Sequence, residues 1–205
     1  TIYCESEEEI DDWDGYFGWA GENTVYWGTT GLHGSTTNGF EWVQNCDDTL
    51  RIVKYTGSST SLIIPETIND YAVADIEEKV FSKCNSLLSI EINSCGKIGY
   101  RAFEECNRLN SITIGKNVSS IGNYAFYNCK SLTEINFYAS NCADLGLYSY
   151  CFDYAGNDKN GITVTIGKNV EKIPAYLFYV GDSAKAHNIT NIIFEENSSC
   201  VNIGN

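Results

Sequence analysis

The sequence contains no methionine and only two prolines in 205 residues, and its first 50 residues contain neither lysine nor arginine. Those residues carry 11 acidic side chains and so account for most of the formal net charge of −14. Proteins that bind nucleic acid or anionic membranes use basic side chains to contact phosphates. The charge therefore argues against a nucleic-acid partner and against attachment to an anionic membrane.

No apolar run reaches the roughly 18 residues that a membrane-spanning helix needs, so we expect no membrane insertion. The chain starts at Thr1 without an initiator methionine, and we expect it to be a mature or excised form whose targeting segment is gone. Its last residues, 202–205, repeat the opening of an earlier segment at 120–123. We expect the natural protein to continue, or another element to cover this end.

The sequence offers no catalytic constellation. Its two histidines, His33 and His187, have no motif around them, and the glycine-rich stretch 28–39 lacks the Gly-Lys-Ser/Thr of a phosphate-binding loop. The neighbouring carboxylates of Glu104–Glu105 and Glu195–Glu196 point apart, whereas a glycosidase needs two that face one cleft. We predict a protein that is not an enzyme, with no cofactor and no metal.

Nine cysteines are many for this length, and their number is odd. A disulfide-rich secreted domain is one interpretation, in which Cys4 pairs with Cys46 or Cys142 with Cys151. The other is that most are reduced core residues, since free cysteine behaves as a small buried hydrophobe. We favour the second interpretation, because three of the cysteines occupy the same position of a repeat. The sequence has no Cys-x2-Cys pair, so it gives little support for a zinc site.

The region 1–61 is predicted to be an N-terminal unit, an acidic and aromatic segment followed by a small antiparallel β cap. The spacing of Asp12 and Asp14 resembles the start of a Ca²⁺-binding loop, but the remaining ligands of such a loop are missing from the sequence that follows. Residues 40–43 and 50–55 are predicted strands, and the stretch 28–39 between Trp27 and the first of them is predicted to be a loop.

Two segments 23 residues apart, 98–114 and 121–137, share every apolar position. Both follow the frame Ile-x4-Phe-x2-Cys-x2-Leu-x2-Ile-x-Ile. Such a period, with leucine and isoleucine at fixed offsets, is typical of a leucine-rich-repeat solenoid. Because one coil cannot bury its apolar side chains alone, we expect stacked coils with parallel strands about 4.8 Å apart.

The frame extends over 62–205 as about five coils, the last incomplete. Its spacing is compatible with a short helix or 3₁₀ segment in each coil, so the predicted fold class is mixed α/β, strand-rich. Phenylalanine and cysteine columns are expected to form a structural ladder: Phe81, Phe103, Phe126, Phe152 and Phe178, with Cys84, Cys106 and Cys129. An aliphatic residue precedes each phenylalanine by five positions: Ile76, Ile98, Ile121, Leu147 and Ile173.

The residues 64–76, 80–90 and 114–126 resemble the BspA-like leucine-rich repeats of bacterial surface proteins. The segment 3–28 is similar to the stretch that often precedes such repeats in anaerobic Firmicutes. The resemblance implies a secreted or cell-surface protein associated with adhesion and supplies no catalytic residues. The coils after Phe126 depart from the pattern, with Ala155 and Gly181 in place of cysteine and Gly161 in place of leucine.

Residues that alternate with the apolar strand positions are predicted to face outward as a polar binding face. They are Ser89, Glu91, Ser111, Thr113, Glu134, Asn136, Thr163, Thr165, Asn191 and Ile193. Tyrosines near the repeat phenylalanines are predicted to pack structurally: Tyr100, Tyr124, Tyr148 and Tyr176. The face predicts a protein ligand or host surface component as partner. The alternative is a carbohydrate-binding or spacer module of a larger surface enzyme.

Overall fold

The computed structural model describes residues 2–3, 25–26, 29–93, 95–157, 161–179 and 189–204. Over these residues the chain forms strands joined by turns and contains no helix. The strands are β1 (Ile2–Tyr3), β2 (Val25–Tyr26), β3 (Thr29–Ser35), β4 (Phe40–Asn45), β5 (Leu50–Tyr55), β6 (Ser61–Ile63), β7 (Thr67–Ile68), β8 (Tyr71–Ile76), β9 (Ser89–Ile92), β10 (Lys97–Ile98), β11 (Ser111–Ile114), β12 (Ser120–Ile121), β13 (Glu134–Phe137), β14 (Ile162–Ile166), β15 (Lys172–Ile173), β16 (Ile189–Phe194) and β17 (Asn202–Ile203).

A six-stranded parallel sheet forms one side of a solenoid, in the order β16-β14-β13-β11-β9-β6. Each of its strands opens one coil, so the described chain holds six coils and not about five. The first coil, which begins at β6, was not predicted as a complete repeat. Its Leu62 pairs in register with Ile90 of β9. The prediction of parallel, stacked strands is confirmed. Strands β1 and β2 pair with each other, as do β15 and β17.

A second sheet runs β12-β10-β8-β5-β4-β3, with β7 beside β8. Its strands β8, β10 and β12 are parallel, whereas β4 is antiparallel to both β3 and β5. Strand β5 pairs in parallel with β8, so this antiparallel segment and the repeats share one sheet. The division of the chain at residue 62 stays a prediction.

The predicted loop at 28–39 is wrong for most of its length, because β3 covers Thr29–Ser35. A side chain on Gly34 would meet the Trp42 ring, 2.6 Å from an added Cβ. Glycine in this strand therefore reflects close approach of an aromatic ring and does not break the strand.

Among the described residues the expected short helix is also absent, and a turn takes its place around Phe81, Phe103, Phe126 and Phe152. The residues two before and two after the phenylalanine have positive φ, as in Lys79 (56°) and Lys83 (60°) around Phe81. Left-handed residues interrupt a right-handed helix. We call these five-residue segments the phenylalanine turns: 79–83, 101–105, 124–128 and 150–154.

The phenylalanine turns direct alternate backbone N–H groups to the next coil. Lys79, Phe81 and Lys83 donate to the carbonyls of Tyr100, Ala102 and Glu104 at 3.0, 2.8 and 2.7 Å. The two following phenylalanine turns repeat this pattern, at residues 101, 103, 105 and at 124, 126, 128. A helix would have used these N–H groups within the coil, so inter-coil hydrogen bonding replaces it.

The phenylalanine column forms a continuous stack of rings. Ring centroids are 4.9, 5.1 and 5.1 Å apart from Phe81 to Phe152, with planes within 3 to 7° of parallel, and the Phe152–Phe178 pair is 5.6 Å apart and tilted. The first four rings are buried, and Phe178 is half-buried. Phe40 of β4 meets Phe81 edge-on at 6.4 Å, which extends the aromatic core into the second sheet.

One member of the aliphatic column was wrongly assigned. Leu147 is 49% exposed, whereas Leu145, two residues earlier, is buried. Coil four is longer than the frame, and the Leu145 N–H donates to the carbonyl of Ala175 in the next coil. The extra residues therefore shift which leucine reaches the interior. Ala155 in the same coil is buried in the cysteine position.

Replacing Phe126 by alanine should cost about 3–5 kcal/mol of unfolding free energy, because the cavity opens between two stacked rings. Phe178→Ala should cost clearly less, since that ring is already half-exposed. Urea unfolding followed by far-UV circular dichroism measures both variants. Equal losses would contradict a continuous buried stack.

Replacing Gly122 by alanine should destabilise the chain by about 1–3 kcal/mol through overpacking. An added Cβ would lie 2.6 Å from the Tyr100 backbone nitrogen of the preceding coil. Gly146→Ala is the matched control, because nothing lies within 4 Å of its Cβ position. The control should change stability by less than about 0.5 kcal/mol, measured in the same urea titration.

Candidate functional site

The outward face of the six-stranded sheet presents two columns of small, mostly polar side chains. The register aligns Ser111 with Ser89 and Glu134, and Thr113 with Glu91 and Asn136. Strands β14 and β16 continue both columns through Thr163 and Asn191 and through Thr165 and Ile193. All ten residues of the predicted face thus lie on one surface, which we call the sheet face.

The sheet face is wider than predicted, because β6 adds Ser61 and Ile63 to its two columns. Ile63 is 61% exposed and Ile193 is 52% exposed. Apolar side chains therefore stand at the first and last strands, with polar ones between them. Hydrogen bonds order part of the surface, from Ser89 Oγ to Ser61 Oγ at 2.8 Å and from Asn136 Nδ2 to Glu134 Oε1 at 2.6 Å.

A third outward column continues the same alternation two residues beyond Glu91, Thr113, Asn136, Thr165 and Ile193. It consists of Asn93, Gly115, Tyr138, Gly167 and Glu195. These residues and the turns that follow them line an open groove of about 520 Å³ at the carboxyl-terminal edge of the sheet. We call it the edge groove. Glu66, Lys116 and Lys168 also line it.

Tyr138 is the large side chain of the edge groove. The Glu195 carboxylate lies near its hydroxyl, and burial, together with this carboxylate, raises the pKa of Tyr138. Glu195 Oε2 also accepts the Lys168 backbone N–H at 2.9 Å. A Cβ on Gly167 would come within 2.4 Å of the Tyr138 ring, so the ring lies against that glycine.

The cysteine column is part of the core. The Cys106 thiol donates to the Phe81 carbonyl at 3.0 Å, and the Cys129 thiol to the Phe103 carbonyl at 3.2 Å. Cys84, in coil one, is half-buried, with its sulfur 3.5 Å from Ser86 Oγ. Burial raises the pKa of the Cys106 thiol to about 12, and it raises the pKa of Cys129 as well. These thiols stay protonated at neutral pH.

The candidate disulfide between Cys142 and Cys151 is wrong, since both are free thiols. Cys4, the other half of the second candidate pair, lies outside the described residues. So do the Ca²⁺-loop candidate at Asp12 and Asp14, and His187. Within the described ranges no group of three or more His, Cys, Asp or Glu side chains is placed to hold a metal ion. No helix there is long and apolar enough to cross a bilayer.

Tyrosines line the outside of the phenylalanine turns. At two positions before the phenylalanine they are Tyr124, Tyr150 and Tyr176, so Tyr150 occupies the place predicted for Tyr148. Tyr124 contacts Tyr100 at 5.9 Å and Tyr150 at 5.5 Å between ring centroids. The Arg101 guanidinium lies 5.0 and 5.1 Å from the Tyr100 and Tyr124 rings. The rings thus contact one another from coil to coil.

Comparison with known families agrees with this geometry. A family model of the BspA type leucine rich repeat region matches residues 52–184 in 6 copies. The chain belongs to the BspA type leucine-rich-repeat family. The six copies agree with the six coils of the structure, and the family resemblance of the sequence is confirmed. No curated protein matches the chain.

Three solved structures of leucine-rich-repeat proteins share the fold of this chain. The T. pallidum leucine rich repeat protein has a TM-score of 0.53 at 20% identity, over 83% of this chain and 85% of that one. A leucine-rich repeat protein from Bacteroides capillosus has a TM-score of 0.53 at 25% identity, over 63% and 96%. A leucine rich cell surface protein from Faecalibacterium prausnitzii has a TM-score of 0.53 at 22% identity, over 85% of this chain and 51% of that one.

The third outward column of this BspA type chain was not predicted. Extending the strand alternation by two residues would have found it. A second signal was available, because Tyr138 stands where the coils on either side have Gly115 and Gly167.

Stability should fall as the pH rises above about 9, because the Cys106 thiol has an ordinary pKa of 9.0 when unfolded and about 12 when folded. Its stabilising effect is complete below the unfolded pKa and is lost as pH rises towards the folded one. At pH 10 the loss is about 1.4 kcal/mol. The difference between the urea midpoints at pH 8 and pH 10 should therefore be smaller in Cys106→Ser than in the unmodified chain. This variant keeps a hydrogen-bond donor for the Phe81 carbonyl. Identical pH slopes in both proteins would contradict this.

Proposed function

We propose that this chain is a non-catalytic secreted or cell-surface protein that binds a protein partner, such as a host surface component, through the sheet face. The observation that carries the proposal is the in-register array of outward side chains on six parallel strands. Leucine-rich-repeat folds are commonly used for protein interaction, and solenoids present extended surfaces for binding.

The rigidity of the sheet face supports binding. Behind Thr113, the inward residues Ile112 and Ile114 are completely buried, and the same holds behind Asn136 for Ile135 and Phe137. Side chains on such a sheet are held at fixed spacing, so little backbone order has to be gained when a partner binds. The exposed isoleucines at the two ends offer apolar contacts.

The charge of the sheet face indicates what the partner presents. Its columns contain Glu91 and Glu134 and no lysine or arginine, and the whole chain is strongly acidic. Complementary potentials steer association and exclude wrong partners. The partner is therefore expected to contact the centre of the sheet face with polar or basic groups.

Surface display and adhesion are part of this proposal, and the family of the chain supports them. The solved cell surface protein from F. prausnitzii shares the fold, and the absence of a convergent set of titratable groups on the sheet face agrees with a binding role. An antibody raised against this chain should label intact, unpermeabilised cells of the source bacterium or recognise the protein in its medium. Recovery only from the cytoplasmic fraction would contradict display.

The binding test uses the double variant Thr113→Arg with Thr165→Arg, which places two long charged side chains at the centre of the sheet face. Binding of labelled protein to intact epithelial cells and to immobilised extracellular matrix proteins should fall at least about tenfold. Ser120→Arg with Asn123→Arg adds the same charge at and beside β12, in the second sheet, and should bind normally. Equal loss in both double variants, or no binding by the unmodified chain, would refute the proposed face.

A further inference from the structure

The edge groove is the place where this chain departs from its own repeat. Coils three and five continue from their strands into identical turns, Gly115–Asn117 and Gly167–Asn169, each reading Gly-Lys-Asn. Coil four, between them, has Tyr138, Ala139 and Ser140 instead. An aromatic ring therefore stands between two glycines that carry no side chain, with one lysine on each side. The stacking of the coils does not require this tyrosine, since the two adjacent coils have glycine at the same position.

The ring has a neighbour on each of two sides. It lies against Gly167, where an added Cβ would clash with it at 2.4 Å, and the Glu195 carboxylate lies near its hydroxyl. Glu195 is itself fixed by the Lys168 N–H at 2.9 Å. Tyr138 nevertheless remains half-buried and lines the open space of the edge groove. A fixed, partly exposed ring can receive an apolar ligand face at low entropic cost.

The charges around the ring balance. Lys116 and Lys168 oppose Glu66 and Glu195 among the lining residues, so the lining carries no formal net charge. Asn93 and Asn117 add amide groups that both donate and accept. Carboxylates accept and ammonium groups donate, so the lining offers both kinds of partner to neighbouring hydroxyl groups. The volume of about 520 Å³ falls within the roughly 300–1,000 Å³ of ligand-binding clefts.

We propose that the edge groove binds a neutral saccharide, with the C–H face of one sugar ring packed on Tyr138 and its hydroxyls bonded to the lysine, carboxylate and amide groups of the lining. An anionic ligand would meet Glu66 and Glu195, and a purely apolar one would leave the polar lining without partners. This site is built from its own residues and does not depend on a protein partner at the sheet face.

The experiment titrates the whole chain with neutral oligosaccharides, namely the hexamers of N-acetylglucosamine, mannose and xylose, by calorimetry and saturation-transfer NMR. A heparan sulfate hexasaccharide is the anionic probe. The unmodified chain should bind at least one neutral probe, and Tyr138→Gly should weaken that binding at least tenfold. This variant restores the residue of the adjacent coils, so it should fold. Tyr138→Phe, which keeps the ring and loses the hydroxyl, should retain most of the affinity.

Tyr148→Ala is the control, since it removes an exposed tyrosine from the phenylalanine-turn side. It should bind the neutral probe as the unmodified chain does. The proposal is overturned if no neutral probe binds, if only heparan sulfate binds, or if Tyr138→Gly binds normally. Because the sheet-face variants Thr113→Arg and Thr165→Arg leave Tyr138 in place, loss of cell binding with intact saccharide binding separates the two proposals.

Discussion

The structure depends on where the backbone N–H groups beside each phenylalanine find their acceptors. Three alternate N–H groups of each of the phenylalanine turns 79–83, 101–105 and 124–128 are directed to carbonyls of the next coil, and the left-handed residues on both sides of the phenylalanine make this geometry possible. A buried N–H without an acceptor costs about 1–3 kcal/mol. The coils must therefore align in register, and once they do, the phenylalanine rings come to lie one above another at about the spacing of paired strands.

This register also determines what the outside of the molecule can present. The coils can carry extra residues, as coil four does, while the six-stranded sheet keeps its alignment, because the additions lie between one strand and the next. The outward positions contribute nothing to the core, so they are available for binding. Tyr138 illustrates the point, since it replaces a glycine without disturbing the strand pairs on either side of it.

Much of the fold could be predicted from the sequence, because the spacing of buried residues is itself periodic. The parallel strands, the inward isoleucines and the family all follow from that spacing. The helix was wrongly expected because the Phe-x2-Cys-x2-Leu spacing fits one face of a helix as well as it fits the observed turns. Residue types such as Lys79 and Glu105 do not indicate a positive φ. Leu147 was misplaced because an insertion shifts the frame, and a pattern alone does not tell which of two nearby leucines turns inward. The edge groove was missed because it combines residues from six coils, whose proximity only the register reveals.

The inter-coil hydrogen bonds of the phenylalanine turns 79–83, 101–105 and 124–128 each join two adjoining coils, and this has a mechanical consequence. Tension applied along the solenoid axis would load these contacts in series, so the chain would separate coil by coil from an end and would not rupture all at once. A protein built in this way lengthens in small steps and reseals each step independently. Under a pulling force the solenoid would therefore lengthen gradually, whereas a domain that unfolds in one step would keep its length until the whole domain unfolded.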